Sequence, residues 1–211
     1  MIRKLLVVAA AIAMPVSVVA VSGGLAGASN SHGSPATATV ACKGLKGTLK
    51  FSPHLISTGD GTTAIKTAVS ATLSKCTATG GVTVSGGAVS GTLTGAPGTS
   101  AKPSGTCAGL IGSATETGTL TIKWSPSSVP SSVLKVKSDT GSAAAGHGAF
   151  TIPGKAKSTA SGSFLGTDKG AKDKSVAETS LTIAAINTAC AKGITSLAIQ
   201  NESSGTAVAL G

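Results

Sequence analysis

The chain of 211 residues is poor in aromatic side chains and in arginine. It has no tyrosine, one tryptophan and three phenylalanines, and Arg3 is its only arginine. Base and phosphate recognition favours the guanidinium fork beside stacking rings. Transmembrane barrels carry aromatic girdles at both membrane interfaces. The composition therefore argues against a nucleic-acid partner and against a membrane barrel.

Catalytic and metal-binding motifs are also missing. The cysteines show no C-x-x-C spacing, no serine lies in G-x-S-x-G, and there is no G-x-G-x-x-G or Walker loop. His32, His54 and His147 are too far apart in sequence for a helical zinc site, and we interpret them as surface residues. We therefore predict no catalytic residue, no metal ligand and no cofactor.

A secreted hydrolase is kept as an unfavoured alternative. His54 and Asp60 share one loop near several serines, which is the nearest approach to a nucleophile, a base and an orienting acid. The seven acidic residues are scattered, mostly in segments that we interpret as exposed loops. Paired carboxylates for glycoside cleavage are not indicated.

The N-terminus has the organisation of a secretory signal peptide. Arg3 and Lys4 precede an apolar run from Leu5 to Ala13, and small residues end at Ala26-Gly27-Ala28. A membrane anchor is the rival interpretation, but the stretch is short for a span, is interrupted by Pro15 and lacks a cationic stop. We predict a signal peptide at residues 1–28, a flexible leader at 29–40 and a single β domain at 41–211.

Four cysteines remain after cleavage: Cys42, Cys76, Cys107 and Cys190. An even number in an exported chain predicts two disulfides, with three connectivities open. If the first two strands form an antiparallel hairpin centred near Gly59, Cys42 lies opposite Cys76, within reach of a disulfide. This register favours Cys42–Cys76, which leaves Cys107–Cys190.

Alternating runs of small and β-branched residues, separated by glycine, predict about nine short strands. The second is the clearest, with Ile65, Thr67, Val69, Ala71 and Leu73 on one face. The predicted strands are 41–52, 65–74, 88–94, 118–124, 133–138, 148–153, 159–166, 194–200 and 206–210. We expect an all-β fold, either an antiparallel sandwich or a closed barrel.

One short helix is expected near the C-terminus. Leu181, Ala184, Ala185 and Thr188 fall at helical spacing within residues 177–191, and Lys192-Gly193 forms a stop. The β-branched residues of this segment leave a strand as the alternative.

Trp124 is in phase with Leu120 and Ile122, so we predict a core position in which the indole N–H needs a buried acceptor. Lys50-Phe51-Ser52-Pro53 and Lys123-Trp124-Ser125-Pro126 each follow Gly-Thr-Leu. A duplicated hairpin and independent strand-end chemistry both explain this echo.

These segments, together with the signal peptide, Cys42-Lys43-Gly44 and Ser70–Cys76, resemble a group of small exported actinobacterial proteins of uncharacterised function. The resemblance covers most of the mature chain and rests on cysteines and strand ends. It implies export from an actinobacterium and says nothing about activity.

Lysines supply all positive charge after cleavage and occur singly between apolar positions, as in Leu134-Lys135-Val136-Lys137. The plain interpretation is a solvated strand face; the sharper one is weak attraction to an anionic envelope surface. We predict a secreted or wall-associated, non-enzymatic β domain without a stable membrane span. A carrier of a small apolar ligand in a barrel cavity is the main alternative.

Overall fold

The structure, a computed structural model, describes residues 38–59, 61–99, 104–108, 116–137, 140–144, 147–152, 158–161, 164, 174–201 and 206–211. All of them belong to one unit, Gly33–Gly211. The predicted signal peptide (residues 1–28) lies outside the described residues, as does the predicted leader up to residue 37. Ala38 is buried and Val40 begins the first strand, so folded structure starts before residue 41.

Eleven strands and one helix follow in chain order: β1 (Val40–Leu55), β2 (Lys66–Ala78), β3 (Gly86–Gly95), β4 (Glu116–Ser125), β5 (Ser132–Val136), β6 (Thr140–Ala144), β7 (His147–Ile152), β8 (Ser158–Ser161), β9 (Lys174–Thr182), α1 (Ile183–Cys190), β10 (Ile194–Gln200) and β11 (Val208–Leu210). β6 and β9 have no counterpart among the nine predicted strands.

The strands form one antiparallel sheet in the order β6-β7-β9-β10-β1-β2-β3-β4-β5-β8, with β11 pairing to β1 and β9. This confirms the predicted all-β antiparallel fold. Among the described strands, the sheet ends at β6 on one side and β8 on the other, so it is not closed. A sandwich therefore describes it better than a barrel.

The predicted helix over 177–191 is shorter than expected. Residues up to Thr182 continue β9, and α1 occupies only Ile183–Cys190. Thr182 ends the strand and caps the helix, because its side-chain oxygen accepts a hydrogen bond from the Ala185 N–H at 3.3 Å. The strand alternative is thus correct for the first part of the segment, and the helix for the rest.

The hairpin of β1 and β2 has the predicted register. Cys42 pairs with Cys76, and the pairing continues without a shift to Lys50 opposite Ala68 and Ser52 opposite Lys66. Both predicted disulfides, Cys42–Cys76 and Cys107–Cys190, are present. The second disulfide ties the end of α1 to a segment beside the end of β1, where the Ile56 N–H donates to the Gly105 carbonyl at 3.0 Å.

The inner face of the sheet packs into one continuous apolar cluster that draws on β1 to β5, α1, β10 and β11. Trp124 is 4% exposed within it, as predicted. Its indole N–H donates to the Ser132 hydroxyl at 3.0 Å, which is the buried acceptor the sequence required. The Phe164 ring meets it edge-on at 5.1 Å between centroids.

Candidate functional site

The five neighbouring strands β1 to β5 have two chemically distinct faces. Successive side chains of a strand point to opposite sides, and the registers align the odd-numbered positions of β1 to β3, from Leu45 onward, with the even-numbered positions of β4 and β5 on the inner side. The even positions of β1 from Lys46 to Ser52, those of β2 up to Ser74 and those of β3 point outward, as do the odd positions of β4 and β5, whereas Val40 and Cys42 at the start of β1 are buried. We call this outward side the lysine face.

Six lysines point outward on the lysine face, and all are exposed: Lys46, Lys50, Lys66, Lys123, Lys135 and Lys137. Among the described residues of β1 to β5, no acidic side chain lies on this side. Between the lysines the outward residues of β1 to β4 are small: Thr48, Ala68, Ser70, Thr72, Ala88, Ser90, Thr92, Thr119 and Thr121. On β5, Val133 points outward beside Thr121. The face is therefore a floor of hydroxyl and methyl groups bordered by positive charge.

Both described acidic residues lie on the inner side or are buried. Glu116 accepts a hydrogen bond from the inward Thr67 hydroxyl at 2.7 Å. Glu178 is 6% exposed and accepts from the Gln200 amide at 3.1 Å. Hydrogen bonds of this kind offset the cost of burying a carboxylate. Positive and negative side chains of the described sheet are thus separated, and the outward charge of β1 to β5 has one sign.

The lysines form two rails. The first rail is Lys46 and Lys50 of β1 with Lys66 of β2; the second rail is Lys123 of β4 with Lys135 and Lys137 at β5. Neighbouring strands are about 4.8 Å apart, so β1 and β4 are separated by about 14 Å and β1 and β5 by about 19 Å. A shallow trough of serine, threonine and alanine runs between the rails.

The sequences of β1 and β2 are repeated in β4 and β3, respectively, and a pseudo-twofold axis relates the two strand pairs. Ala68-Val69-Ser70-Ala71-Thr72-Leu73-Ser74 is matched by Ala88-Val89-Ser90-Gly91-Thr92-Leu93-Thr94, and Ser70 pairs directly with Ser90. Thr48 flanks Ser70 and Thr121 flanks Ser90. The axis passes between the two serines, normal to the sheet, and relates Lys50 to Lys123.

The two repeats agree better on the lysine face than in the core. Outward, six related pairs are identical: Thr48/Thr121, Lys50/Lys123, Ser52/Ser125, Ala68/Ala88, Ser70/Ser90 and Thr72/Thr92. Inward, only Val69/Val89 and Leu73/Leu93 are identical. Exposed strand positions are ordinarily freer to vary than packed ones. In these two repeats the outward positions differ less than the packed ones, although Lys46 corresponds to Thr119 and Lys66 to Gly86.

The sequence echo at Lys50–Pro53 and Lys123–Pro126 belongs to this repeat, and both Ser-Pro peptide bonds are cis. The related strands occur in reversed order along the chain: β1 and β2 are followed by β3, which corresponds to β2, and then by β4, which corresponds to β1. Tandem duplication of a hairpin would place them in the opposite order. The strands repeat, whereas the hairpin as a unit does not.

The histidines do not assemble with serine and acid among the described residues. His54 is exposed and lies against Gly193, while Asp60 and His32 are outside the described residues. His147 is half-buried, and its Nδ1 lies 2.9 Å from the Thr179 carbonyl and 3.1 Å from that of Leu181. A ring nitrogen facing two carbonyls acts as a donor, so His147 connects the start of β7 to β9.

Sequence reasoning identified the outward lysines but missed the trough. The signal was present in the near-identity of residues 68–74 and 88–94. Its meaning depends on the register that sets Ser70 against Ser90, which the spacing of two similar strands does not reveal.

In the part of the chain that the structure describes, no helix is long and apolar enough to cross a membrane. Within the same residues, no three histidine, cysteine or acidic side chains come together as a metal-binding group. Comparisons with protein-family models, with curated proteins and with solved structures found no match.

Proposed function

We propose that the chain is an exported, non-enzymatic β domain that acts at the cell envelope by binding an anionic surface through its lysine face. One observation carries this proposal: six exposed lysines point outward from β1 to β5, with no outward acidic residue among the described positions of those strands. A patch of one sign attracts partners of the opposite sign and concentrates them at the surface.

Export is supported by the basic head, apolar run and small residues of positions 1–28. The two disulfides are compatible with an oxidising compartment, where such bonds persist. The resemblance to exported actinobacterial proteins agrees with this location. Amino-terminal sequencing of protein collected from the culture fluid should begin at Ser29.

The packed interior favours a role for the surface over that of a carrier. Phe164, Leu73, Ile122, Ile186 and Leu210 are all 2% exposed or less, so no space large enough for solvent adjoins these side chains. A carrier would need a cavity of several hundred cubic ångströms lined by apolar side chains.

Sedimentation with isolated cell envelopes tests the proposal. The mature chain, residues 29–211, should pellet with envelope material at low salt and be released as ionic strength rises, because exposed charges are screened. The double variant Lys46→Gln/Lys50→Gln should pellet several-fold less.

The matched control is Lys43→Gln/Lys75→Gln. These lysines are exposed on the same two strands, but they lie outside the two rails, beside the Cys42–Cys76 disulfide. The control changes net charge equally and should pellet like the unmodified chain. Equal loss in both variants, or no binding to envelopes at all, would contradict the proposal.

A further inference from the structure

We propose that the trough between the two lysine rails binds one flexible chain of a polyol phosphate, a polymer of short polyalcohols joined by phosphodiesters. This inference rests on the proposed function and adds the chemistry of the partner. Lysines at both margins would meet the phosphates as point charges, without the bidentate geometry that arginine gives, and the serine and threonine hydroxyls of the floor would meet the alcohol groups.

Charge complementarity favours an anionic partner, and the side chains of the trough floor determine which class of anionic polymer fits best. The nine floor residues are Ser, Thr or Ala, so the trough offers hydroxyl donors and acceptors but no aromatic platform. Polymers with ring sugars or bases gain much of their binding energy by stacking on aromatic rings. A polyol phosphate has no ring to stack. Its phosphates can pair with the lysines, and its hydroxyls can form hydrogen bonds with the serine and threonine side chains.

The shape of the trough selects a flexible chain. Neighbouring strands of a sheet are rotated by about 20–25°. The rails on β1/β2 and on β4/β5 are therefore not parallel, and the floor between them is saddle-shaped. A rigid, flat polymer network would contact only part of this surface, whereas a single chain with freely rotating bonds can follow its curvature.

Repetition of the partner matches repetition of the surface. A single phosphate beside one exposed lysine is held weakly, but linked phosphates that engage several lysines bind with a high effective concentration. The pseudo-twofold axis between Ser70 and Ser90 also places Lys50 and Lys123 in equivalent positions. A polymer entering from either end consequently meets the same arrangement of charge and hydroxyl groups at the centre.

Direct titration tests this inference with the mature, oxidised chain and purified poly(glycerol phosphate) as the probe. We expect saturable binding at about 0.05 M salt that falls steeply towards about 0.5 M. Glycerol phosphate monomer should bind at least a hundredfold more weakly than the polymer. The double variant Lys50→Gln/Lys123→Gln should weaken polymer binding about tenfold, while Lys43→Gln/Lys75→Gln leaves it unchanged.

Competitor polymers decide between partners. Polyglutamate carries carboxylates on a flexible chain, hyaluronate carries them on sugar rings, and single-stranded DNA carries phosphates with stacking bases. Weaker binding of all three than of poly(glycerol phosphate) supports the proposal, and equal or tighter binding of any one overturns it. If envelopes bind the chain but poly(glycerol phosphate) does not, this inference fails and the proposed function stands. If neither binds, both fail.

Discussion

The strand pairs β1–β2 and β3–β4 share six identical outward positions but only two identical inward ones. Where the first pair places Phe51 opposite Thr67, the second places Trp124 opposite Gly87. The larger ring thus lies beside the smaller partner. A Cβ added at Gly87 would lie 3.1 Å from the Trp124 ring, so the indole occupies the space that a side chain there would need.

A second exchange follows the same rule. Gly47 lies opposite Ala71 in the first pair, while Leu120 lies opposite Gly91 in the second. A Cβ at Gly91 would come within 2.9 Å of the Leu120 Cα. Volume added on one strand is removed from its neighbour, as close packing of the interior requires. The backbone register, and with it the outer face, is kept while the core exchanges large and small residues.

The two pairs also differ in what holds them. The first pair is crossed by the Cys42–Cys76 disulfide. The second has no cysteine, and Trp124 connects it to Ser132 by a hydrogen bond and to Phe164 by a ring contact. We infer that the second pair depends more strongly on a single side chain.

Replacing Trp124 should therefore have the largest effect on stability. Trp124→Ala should lower the free energy of unfolding by about 3–5 kcal/mol, because a large buried ring leaves a cavity beside Gly87. Trp124→Phe should cost less, about 1–3 kcal/mol, because it keeps an aromatic ring but leaves the fully buried Ser132 hydroxyl without its donor. Urea unfolding of the oxidised chain measures both values. Equal losses for the two variants would show that ring packing contributes little.

Local sequence patterns were sufficient to predict the register of the first pair and the burial of Trp124 in the second. Alternation in residues 65–74 and the position of the loop gave the hairpin register, and the register gave Cys42–Cys76. The phase of Trp124 with Ile122 gave its burial, because period-two patterns assign faces directly. These features depend on residues that are close in sequence or on one uninterrupted strand.

Exchange of ring size between the pairs gives the next test. Phe51→Trp should lower the free energy of unfolding by about 1–3 kcal/mol, because Thr67 occupies the space that glycine leaves free beside Trp124. Thr67→Gly alone should also destabilise, since it removes the hydrogen bond to Glu116. The double variant should be more stable than the two separate losses predict, by at least about 0.5 kcal/mol. Strictly additive losses would contradict the exchange rule.

Features that depend on pairing between strands, and not on a pattern within one strand, were not predicted or were left open between alternatives. β6 reads Thr-Gly-Ser-Ala-Ala, which has no apolar alternation, and it becomes a strand by pairing with β7. The start of β9 joins β7 and β11, whose pairing overrides the helical spacing around Leu181. The trough likewise exists only because two similar strands lie side by side.

The smallest expected effect tests the equivalence of the pairs on their outer face. Lys50→Gln and Lys123→Gln, made separately, should each weaken poly(glycerol phosphate) binding about threefold and to the same extent. The reason is that the pseudo-twofold axis relates the position of Lys50 beside Ser70 to the position of Lys123 beside Ser90. Neither should change unfolding by more than about 0.5 kcal/mol, since both side chains are exposed. Titration of both variants beside Lys75→Gln measures the comparison. A loss confined to one of the two lysines would mean that the partner follows one rail and that the symmetry of the trough plays no part in binding.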